Sequence, residues 1–486
     1  MRGPVTLRSH LGTARWLAFS LLLTGCDAFI GDWRLQASAS AASGAGGGAG
    51  AGGGGGGTTA PPLPSWCRFY GTPGEETIWD VRLARDGMGL VGAGQFAGKL
   101  ALDPTVIAGG ASDGFLARFD LEGEPTEVAA LGASEEGVLN VAVPAPPDRV
   151  VGLGAFRGTL GPFTSDASGH LDLVASDFAT GPLVAAGTTG VERTNDGDAT
   201  GDRLVLTGDS AAGLDFGHGP LTSGGYVALV DLATSTVDVA IALGAGTSPG
   251  VGHMARFDDA GNVWVSAVLG GPGVTDVVCG GASLVTETPG QSAILELATD
   301  GTCKVGRVLP TSLLENADLF LVDGARPALS GRFLGDLDID EFHATSSGTE
   351  TDAFVLFLDE QTKATGLTTY GGLGAEKPNE VVVAPSGFVF VVGEFAGELV
   401  VGDVHASSVE DEDDVFVLKL SPTGEPVWFR AFGGVGRQTA TALTLDAAGD
   451  LFVGGNAQGS LACASPAPES AGADDFYLMR FDADSL

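Results

Sequence analysis

Short runs of β-branched and aromatic residues, separated by turn residues, fill the stretch from residue 379 to 433. Four such runs follow one another: Glu380–Ala384, Phe388–Val392, Val415–Leu420 and Val427–Phe432. Gly, Pro or Ser residues bound them, and no segment of helical period interrupts them. Runs of this kind are typical of strands joined by tight turns. The pattern therefore predicts a unit of four antiparallel strands.

A motif of the form apolar-Gly-x-Phe-x-Gly ends the second run and recurs along the chain. Complete copies begin at Gly94, Gly154, Gly331 and Gly393, and weaker copies begin at Gly208, Ala267 and Gly455. The seven starts lie 54 to 64 residues apart, which is too regular for chance and too long for a helical solenoid unit. Seven units of four antiparallel strands predict an all-β fold, a seven-bladed β-propeller.

The two ends of the repeat region complement each other. The last unit stops at Leu486, directly after its third strand, Phe476–Phe481. Residues 66–71 match residues 428–433, a fourth strand, but no first three strands precede them. We therefore expect the N-terminal strand to join the last blade, because this closes the ring and removes exposed sheet edges.

The first 25 residues have the composition of an export signal. Arginines at positions 2, 8 and 15 form a basic start ahead of an apolar stretch, Trp16–Leu23, which is too short for a permanent membrane span. The segment Leu23-Thr24-Gly25-Cys26 resembles the bacterial lipoprotein box, in which cleavage before the Cys is followed by its acylation. We predict a lipoprotein signal peptide at residues 1–25 and lipidation of Cys26. The alternative is an ordinary secretion signal with an unrelated Cys.

Residues 26–65 lack any strand pattern. Positions 44–57 contain only Gly and Ala, so this segment has almost no side chain to bury and should act as a flexible tether. The predicted organisation is a signal peptide (1–25), an acylated tether (26–65) and a propeller (66–486). We expect a bacterial cell-envelope protein held on a membrane by its lipid, with the outer membrane or cell surface favoured.

The chain is strongly acidic. It contains 61 Asp and Glu against 24 Lys and Arg, and removal of the predicted signal takes away three Arg, which leaves a net charge of −40. Such a charge repels nucleic acid and favours solubility. We expect no nucleic-acid partner, and we expect a monomer.

Four cysteines follow Cys26, and an exported protein meets oxidising conditions in which they can pair. They are Cys67, Cys279, Cys303 and Cys463. The repeat alignment favours Cys67 with Cys463 and Cys279 with Cys303, since each pair then lies in one blade. However, one Cys of each pair follows a second strand and the other lies on a fourth strand, and these are not neighbours. The other pairings therefore stay open.

Two histidines occupy equivalent places, 12 residues after the motifs at Gly331 and Gly393. They are His343 and His405, and their surroundings, His-Ala-Thr-Ser and His-Ala-Ser-Ser, are similar. They are candidate ligands or bases on adjacent blades. We favour inheritance of one surface-loop residue by duplication, because no spacing typical of a transition-metal site accompanies them.

Four aspartates stand two residues before a third-strand aromatic: Asp113, Asp352, Asp414 and Asp474. Four equivalent carboxylates could face cations or a polyhydroxylated ligand on one surface of the ring. Asp also forms turns by accepting hydrogen bonds from nearby backbone N–H groups, and we favour this structural role.

The segment from Asn195 to Asp202 alternates oxygen-bearing side chains and includes a Gly, as calcium loops do. Asp196, Asp198 and Asp202 are the candidate calcium ligands. The twelfth position is Thr207, where a helix-loop-helix site needs a bidentate Glu, and the flanks read as strands. Calcium is the single cofactor that the sequence suggests.

Residues 66–486 resemble the bacterial β-propeller repeat family described as seven-bladed (SBBP-type) repeats. The segment from Leu214 to Ser223 is similar to the loop after the second strand in exported lipoproteins of that kind. The resemblance implies the fold and the envelope location and says little about activity.

No nucleophile elbow, phosphate-binding loop or cofactor fingerprint occurs in the chain. Our leading hypothesis is a non-enzymatic binding or scaffold module whose loops contact a protein or glycan. The alternatives are an envelope polysaccharide lyase or hydrolase with its site at the central channel, and a calcium-stabilised structural ring. Titratable side chains from three or more blades that meet in one pocket with perturbed pKa values would favour the enzyme.

Overall fold

The computed structural model describes residues 62–165, 170–210, 213–243, 250–270, 273–288, 290–311, 313–410 and 412–486. These residues form 38 β-strands and one short 3-10 helix, Ala483–Ser485. The predicted signal peptide, Cys26 and nearly all of the predicted tether lie outside this part of the chain. No helix within it is long and apolar enough to cross a membrane.

The strands group into seven four-stranded antiparallel blades. The first strand of the chain, β1 (Trp66–Tyr70), is the fourth strand of blade 7. Blade 1 contains β2 (Glu76–Leu83), β3 (Gly89–Phe96), a hairpin of β4 (Lys99–Leu100) and β5 (Val106–Ile107), β6 (Asp113–Asp120) and β7 (Pro125–Ala130). Blade 2 contains β8 (Glu136–Ala145), β9 (Arg149–Arg157), a hairpin of β10 (Thr159–Leu160) and β11 (Phe163–Thr164), β12 (Asp172–Asp177) and β13 (Gly181–Ala186). Blade 3 contains β14 (Glu192–Thr200), β15 (Arg203–Ser210), β16 (Gly224–Asp231) and β17 (Thr236–Ala242).

The remaining blades follow the same plan. Blade 4 contains β18 (Val251–Phe257), β19 (Val263–Leu269), a hairpin of β20 (Gly273–Cys279) and β21 (Ala282–Thr286), β22 (Gln291–Leu297) and β23 (Cys303–Val308). Blade 5 contains β24 (Leu313–Val322), β25 (Arg326–Phe333), a hairpin of β26 (Asp336–Ile339) and β27 (Phe342–Thr345), β28 (Asp352–Leu358) and β29 (Ala364–Gly372). Blade 6 contains β30 (Ala375–Val383), β31 (Val389–Ala396), a hairpin of β32 (Glu398–Val401) and β33 (Val404–Ser407), β34 (Asp414–Leu420) and β35 (Pro426–Phe432). Blade 7 contains β36 (Gln438–Leu445), β37 (Leu451–Ala457) and β38 (Asp475–Phe481).

The ring is closed by the N-terminal strand. β1 pairs antiparallel with β38 as the outermost strand of blade 7, with Trp66 opposite Arg480 and Tyr70 opposite Phe476. The first strand of each blade contacts the first strand of the next, and β36 contacts β2, which completes the circle. The predicted seven-bladed β-propeller, closed by its N-terminal strand, is confirmed.

The two ends of the ring differ. We call the end where second strands finish and third strands begin the hairpin rim, because the β-hairpins of blades 1, 2, 5 and 6 arise there together with the connections between blades. The hairpin of blade 4 also starts at this end but lies along the outer edge of its blade. The opposite end, the turn rim, carries the tight turns from first to second and from third to fourth strands. β1 begins at the turn rim, since it runs antiparallel to the third strand β38.

Apolar side chains between consecutive blades form the core. Seven buried clusters occur among the described residues, one for each junction between neighbouring blades. The Phe of the repeated motif belongs to them: Phe96, Phe156, Phe333 and Phe395 are at most 1% exposed. Each sheet therefore buries both faces against its neighbours, which accounts for the strand composition that the sequence shows.

Backbone geometry explains the two glycines of the motif. A Cβ at Gly393 would lie 2.2 Å from the carbonyl oxygen of Lys377 on the first strand, closer than any side chain permits. Gly397, at the end of the same motif, has a φ of 83°, a left-handed conformation that disfavours residues with a Cβ.

Every first strand contains a shift of register at the same point, and a β-bulge of this kind can re-aim a side chain. In six blades the bulged residue is Trp79, Asn140, Asn195, His253, Asn379 or Thr441, and in blade 5 the shift lies between Leu314 and Asp318. Several bulged residues donate to the carbonyl just before the bulge of the following blade. Examples are Asn195 Nδ2 to Gly252 O (2.9 Å), Asn379 Nδ2 to Ala440 O (2.8 Å) and Thr441 Oγ1 to Ile78 O (3.0 Å). A repeated hydrogen bond thus joins blade to blade.

Two disulfides join Cys67 to Cys463 and Cys279 to Cys303, the pairing that the repeat alignment favours. The difficulty of non-adjacent strands disappears because the segments after the second strands fold outward. The β20–β21 hairpin lies along the outer edge of blade 4, where Cys279 pairs with Cys303 on β23. The segment between β37 and β38 likewise carries Cys463 to Cys67 on β1.

We predict that the two disulfides differ strongly in their contribution to stability. The Cys67–Cys463 bond closes a loop of 396 residues and the Cys279–Cys303 bond one of 24. Loop-closure entropy gives about 6 and about 3 kcal/mol, respectively, as upper values. Denaturant unfolding should show a clearly larger loss for C67S/C463S than for C279S/C303S. Equal losses in both double variants would contradict the larger contribution that we expect of the Cys67–Cys463 bond.

Candidate functional site

Charged side chains gather where the seven first strands surround the axis, a space we call the channel. The residue directly after the bulge is acidic in four blades: Asp80, Asp196, Asp318 and Glu380. Two positions later stand Arg82, Asp198 and Arg256, on the same strand face because side chains alternate with a period of two. Contacts between blades that are not neighbours show that these groups meet across the axis.

Arg82 and Arg256 hold Asp196 between them. Arg82 Nη2 lies 2.8 Å from Asp196 Oδ1, and its Nε lies 2.8 Å from Asp80 Oδ2. Arg256 Nη1 pairs with Asp196 Oδ2. Arg82 belongs to blade 1, Asp196 to blade 3 and Arg256 to blade 4, so the ion pairs span the first strand of blade 2.

The backbone of the following blade satisfies the same carboxylates. Asp80 Oδ2 accepts from Ala142 N at 3.0 Å, and Asp196 Oδ2 accepts from Ala255 N at 3.0 Å. These N–H groups occupy equivalent positions in blades 2 and 4. Because burial of a carboxylate is costly without partners, these N–H donors and the two arginines lower the cost of placing Asp80 and Asp196 in the centre of the ring.

Asp318 and Glu380 are less well compensated. Burial, reinforced by the charge of Glu380, raises the pKa of Asp318 well above its usual range, and Asp318 Oδ2 has no hydrogen-bond partner among the described residues. Burial also raises the pKa of Glu380 to about 7, with Arg256 and Arg82 opposing the shift. Five carboxylates face two guanidinium groups here, so the channel retains negative charge or protons.

The calcium candidates do not form one loop. Asp196 and Asp198 lie on β14 and point into the contacts of the channel, where Asp198 Oδ2 accepts from Phe257 N at 2.9 Å. Asp202 lies in the exposed turn after that strand. In the described part of the chain, no three or more His, Cys, Asp or Glu side chains are grouped so that they could hold a metal ion. Calcium binding by these residues stays a prediction.

The third-strand aspartates fix backbone at the hairpin rim. Asp113 Oδ2 accepts from Gly132 N at 3.0 Å, Asp352 Oδ2 from Ser347 N at 2.9 Å, and Asp414 Oδ2 from Val409 N at 2.9 Å. In blade 7 the equivalent residue is Asp475 rather than Asp474, because Asp475 pairs with Ala457 at the end of the second strand. The two aspartates are adjacent and two aromatic residues follow them, so the sequence alone does not show which aspartate is the equivalent one.

His343 and His405 lie on equivalent exposed hairpins. His343 Nδ1 is 2.6 Å from Asp338 Oδ1, and His405 Nδ1 is 3.0 Å from Glu398 Oε1. The hydrogen bond to Asp338 raises the pKa of His343. Each histidine thus pairs with a carboxylate of its own hairpin, and the two are not brought together.

The channel residues Asp80, Arg82, Arg256, Asp318 and Glu380 were missed by motif reasoning. A signal was present, because a carboxylate occurs 12 to 14 residues before the motif glycine in four units. Isolated charges in a strand can equally face solvent, and their convergence appears once the ring is formed.

Comparisons with known proteins add the following. No family model matches the chain, and no curated protein matches it. Similar solved structures include hydrazine synthase of Kuenenia stuttgartiensis (TM-score 0.46, 10% identity, 82% of this chain and 93% of that chain). Others are the β-propeller domain of the Trilobed protease from Pyrococcus furiosus (0.42, 10%, 84% and 95%) and a gluconolactonase of Xanthomonas campestris (0.36, 12%, 87% and 96%). At this level of identity the similarities carry nothing about activity.

We predict that Asp196→Ala strongly destabilises the ring. The change leaves Arg82 and Arg256 buried without their shared partner, which should cost about 3 kcal/mol or more. Asp202→Ala, in the exposed turn after the same strand, is the matched control and should leave the free energy of unfolding unchanged. Urea denaturation of both variants checks this, and equal stability of the two would show that the channel pairs are not structural.

Proposed function

We propose that this protein is a lipid-anchored module of the bacterial cell envelope that binds a partner through the hairpin rim of its propeller. The resemblance of Leu23-Thr24-Gly25-Cys26 to the lipoprotein box and the SBBP-type repeat pattern support the location. The distribution of exposed apolar side chains supports the binding surface, as follows.

Exposed large apolar side chains concentrate on the hairpin rim. Of eleven among the described residues, six lie there: Ile107, Leu334, Leu373, Val404, Val409 and Val435. Five of these six belong to blades 5 and 6 or to the connections that follow them. Leu373 and Val435 are 74% and 62% exposed and stand at equivalent positions in successive Gly-Gly-x-Gly connections. Apolar side chains gathered in one sector typically mark an interaction site, whereas scattered ones do not.

The kind of side chain favours a protein as the partner. All six are Ile, Leu or Val, which pack into the apolar centre of a protein interface. A glycan remains the alternative partner. β1 begins at the turn rim, so the chain enters the ring at the end opposite to the proposed surface.

We predict that L373S/V435S abolishes partner binding while the fold is retained. Both side chains are largely exposed, so their loss costs little stability, but two apolar anchors of an interface are commonly worth at least a ten-fold change in affinity. Affinity capture from envelope extract with the ring as bait checks this. M88S/V427S, which removes two exposed apolar side chains near the turn rim, is the matched control and should capture the same partners as the unaltered ring. Equal capture by all three forms would reject the hairpin rim as the surface.

We further predict that Cys26→Ser releases the protein from the membrane fraction. An acyl-anchored protein depends on its lipid chains for stable attachment, and the acidic ring adds no attraction to anionic lipid. Fractionation after labelling with a radioactive fatty acid checks both the modification and the location. Persistence of the variant on the membrane would contradict the anchor.

The channel favours a second candidate, an enzyme that cleaves envelope polysaccharide. Asp80, Asp196, Asp318 and Glu380 come from four blades, and the raised pKa values of Asp318 and Glu380 would let one act as general acid and the other as base. Incubation of the ring with polysaccharide from bacterial envelopes tests this. New reducing or unsaturated ends, lost in Glu380→Gln, would support the enzyme, and their absence with the unaltered ring would reject it.

A further inference from the structure

Pairs of buried carboxyl groups recur at three junctions between blades, near the hairpin rim. One member opens the first strand of a blade: Glu76, Glu192 and Glu376 are each 0% exposed. The other member opens the third strand of the preceding blade, and these are Asp475, Asp172 and Asp352, respectively. In each pair, the charge of one carboxyl group raises the pKa of the other, which shows their proximity.

A threonine four residues earlier donates to the glutamate at two of these junctions, although Glu192 Oε2 has no hydrogen-bond partner of normal geometry among the described residues. Glu76 accepts from Thr72 N at 2.9 Å and from Thr72 Oγ1. Glu192 accepts from Thr188 Oγ1 and, at 3.3 Å, from Ser210 Oγ. The hydroxyl donors lower the cost of the buried carboxylate, because a hydrogen bond to the charged form favours it.

The junction between blades 5 and 6 lacks this donor. The residue four positions before Glu376 is Gly372, which has no hydroxyl group. Its N–H group and that of Glu376 lie near the carboxylate, but neither oxygen of Glu376 has a hydrogen-bond partner of normal geometry in the described structure. Burial and the charge of Asp352 raise the pKa of Glu376 to about 8.

Two further oxygen atoms, in the segment to which the Glu376 backbone is hydrogen-bonded, are buried without partners. They are Asp352 Oδ1 and Thr351 Oγ1. Glu376 N donates to Thr351 O at 3.3 Å, which ties the two segments together. Asp352 Oδ2 is already satisfied by Ser347 N and Oγ, each at 2.9 Å, so its carboxylate is held with Oδ1 left over. Four buried oxygen atoms at one junction thus have no hydrogen-bond partner in the described structure.

A cleft of about 400 Å³ opens at this junction. Asp352, Ser347, Tyr370 and Glu398 are among the residues that line it. An ion could therefore reach Asp352 from solvent, and water in the cleft could complete its coordination.

We propose that Ca²⁺ binds at the junction of blades 5 and 6, with Glu376 and Asp352 as its two charged ligands and the Thr351 hydroxyl as a third. All available ligand atoms are oxygens, which suit Ca²⁺, whereas Zn²⁺ and Cu²⁺ favour nitrogen or sulfur. Two carboxylates balance the charge of the ion. With only two acidic ligands, the affinity should lie in the range of extracellular modules, with a Kd of about 10⁻⁴ to 10⁻³ M. The proposal does not rest on the partner-binding role, although Leu373 of that surface also lines the cleft, and it does not involve the segment Asn195–Asp202.

Terbium luminescence and thermal unfolding test the site in the purified ring. Tb³⁺ replaces Ca²⁺ and is excited through nearby aromatic groups, and Tyr370 lines the cleft. We expect Tb³⁺ emission that Ca²⁺ displaces, and a melting temperature that rises with Ca²⁺ and falls with chelator.

Substitutions localise the effect. Glu376→Gln and Asp352→Asn should each weaken Ca²⁺ binding at least ten-fold. The Glu376→Gln variant should fold, because Gln438 occupies the equivalent position at the next junction and is also 0% exposed. Glu192→Gln, at the Thr188-capped junction, is the matched control and should leave Ca²⁺ binding unchanged.

Three results would overturn the proposal. One is a melting temperature that Ca²⁺ and chelator leave unchanged, which would mean that Glu376 and Asp352 share a proton instead. Another is an equal loss of binding in Glu192→Gln and Glu376→Gln. The last is loss of binding in Asp202→Asn with binding retained in Glu376→Gln, which would place the ion in the segment Asn195–Asp202.

Discussion

The pairing of β1 with β38 is the interaction on which the ring depends. It supplies the fourth strand of blade 7 and covers Tyr477 and Phe476 with Phe69 and Tyr70, whose rings lie 5.9 and 4.9 Å away. Without it, blade 7 would present an open edge, and the junction with blade 1 would lose part of its aromatic packing. A closed ring in turn fixes the distances across the axis, so the ion pairs of Arg82 and Arg256 with Asp196 presuppose that strand.

The centre of the ring is built by one device used seven times. In four blades the bulged residue donates a hydrogen bond to the next blade, and in four the residue that follows the bulge is an acid that faces the channel. Where that residue is Asp80 or Asp196, the carboxylate accepts a backbone N–H group from the neighbouring blade, so the same geometry both joins the blades and holds charge at the centre. The device leaves freedom for variation, because blades with Val141, Met254 or Ala442 at the same position keep the bulge.

Much of the fold could be predicted because backbone constraints require particular residue types at particular positions of the sequence. Gly393 and Gly397 are required by a close carbonyl and a left-handed φ, and a carbonyl comes equally close at Gly94, Gly154, Gly208 and Gly455. The channel could not be predicted in this way, since the meeting of Arg82 with Asp196 depends on how seven sheets arrange around an axis and not on any local spacing. The shift from Asp474 to Asp475 has a similar origin, because register is fixed by the partner strand. Lipidation, location and partner remain predictions.

The Cys67–Cys463 bond lies one residue inside the point where the chain enters the ring. A force on the chain ahead of Trp66 acts along an edge strand, and such a strand would otherwise peel away one hydrogen bond after another. The disulfide transfers that load to Cys463, a buried residue of the segment beyond β37. A pull on the N-terminal end is therefore opposed by a covalent bond as well as by the hydrogen bonds of the closing strand, whereas a propeller closed by hydrogen bonds alone has only the latter.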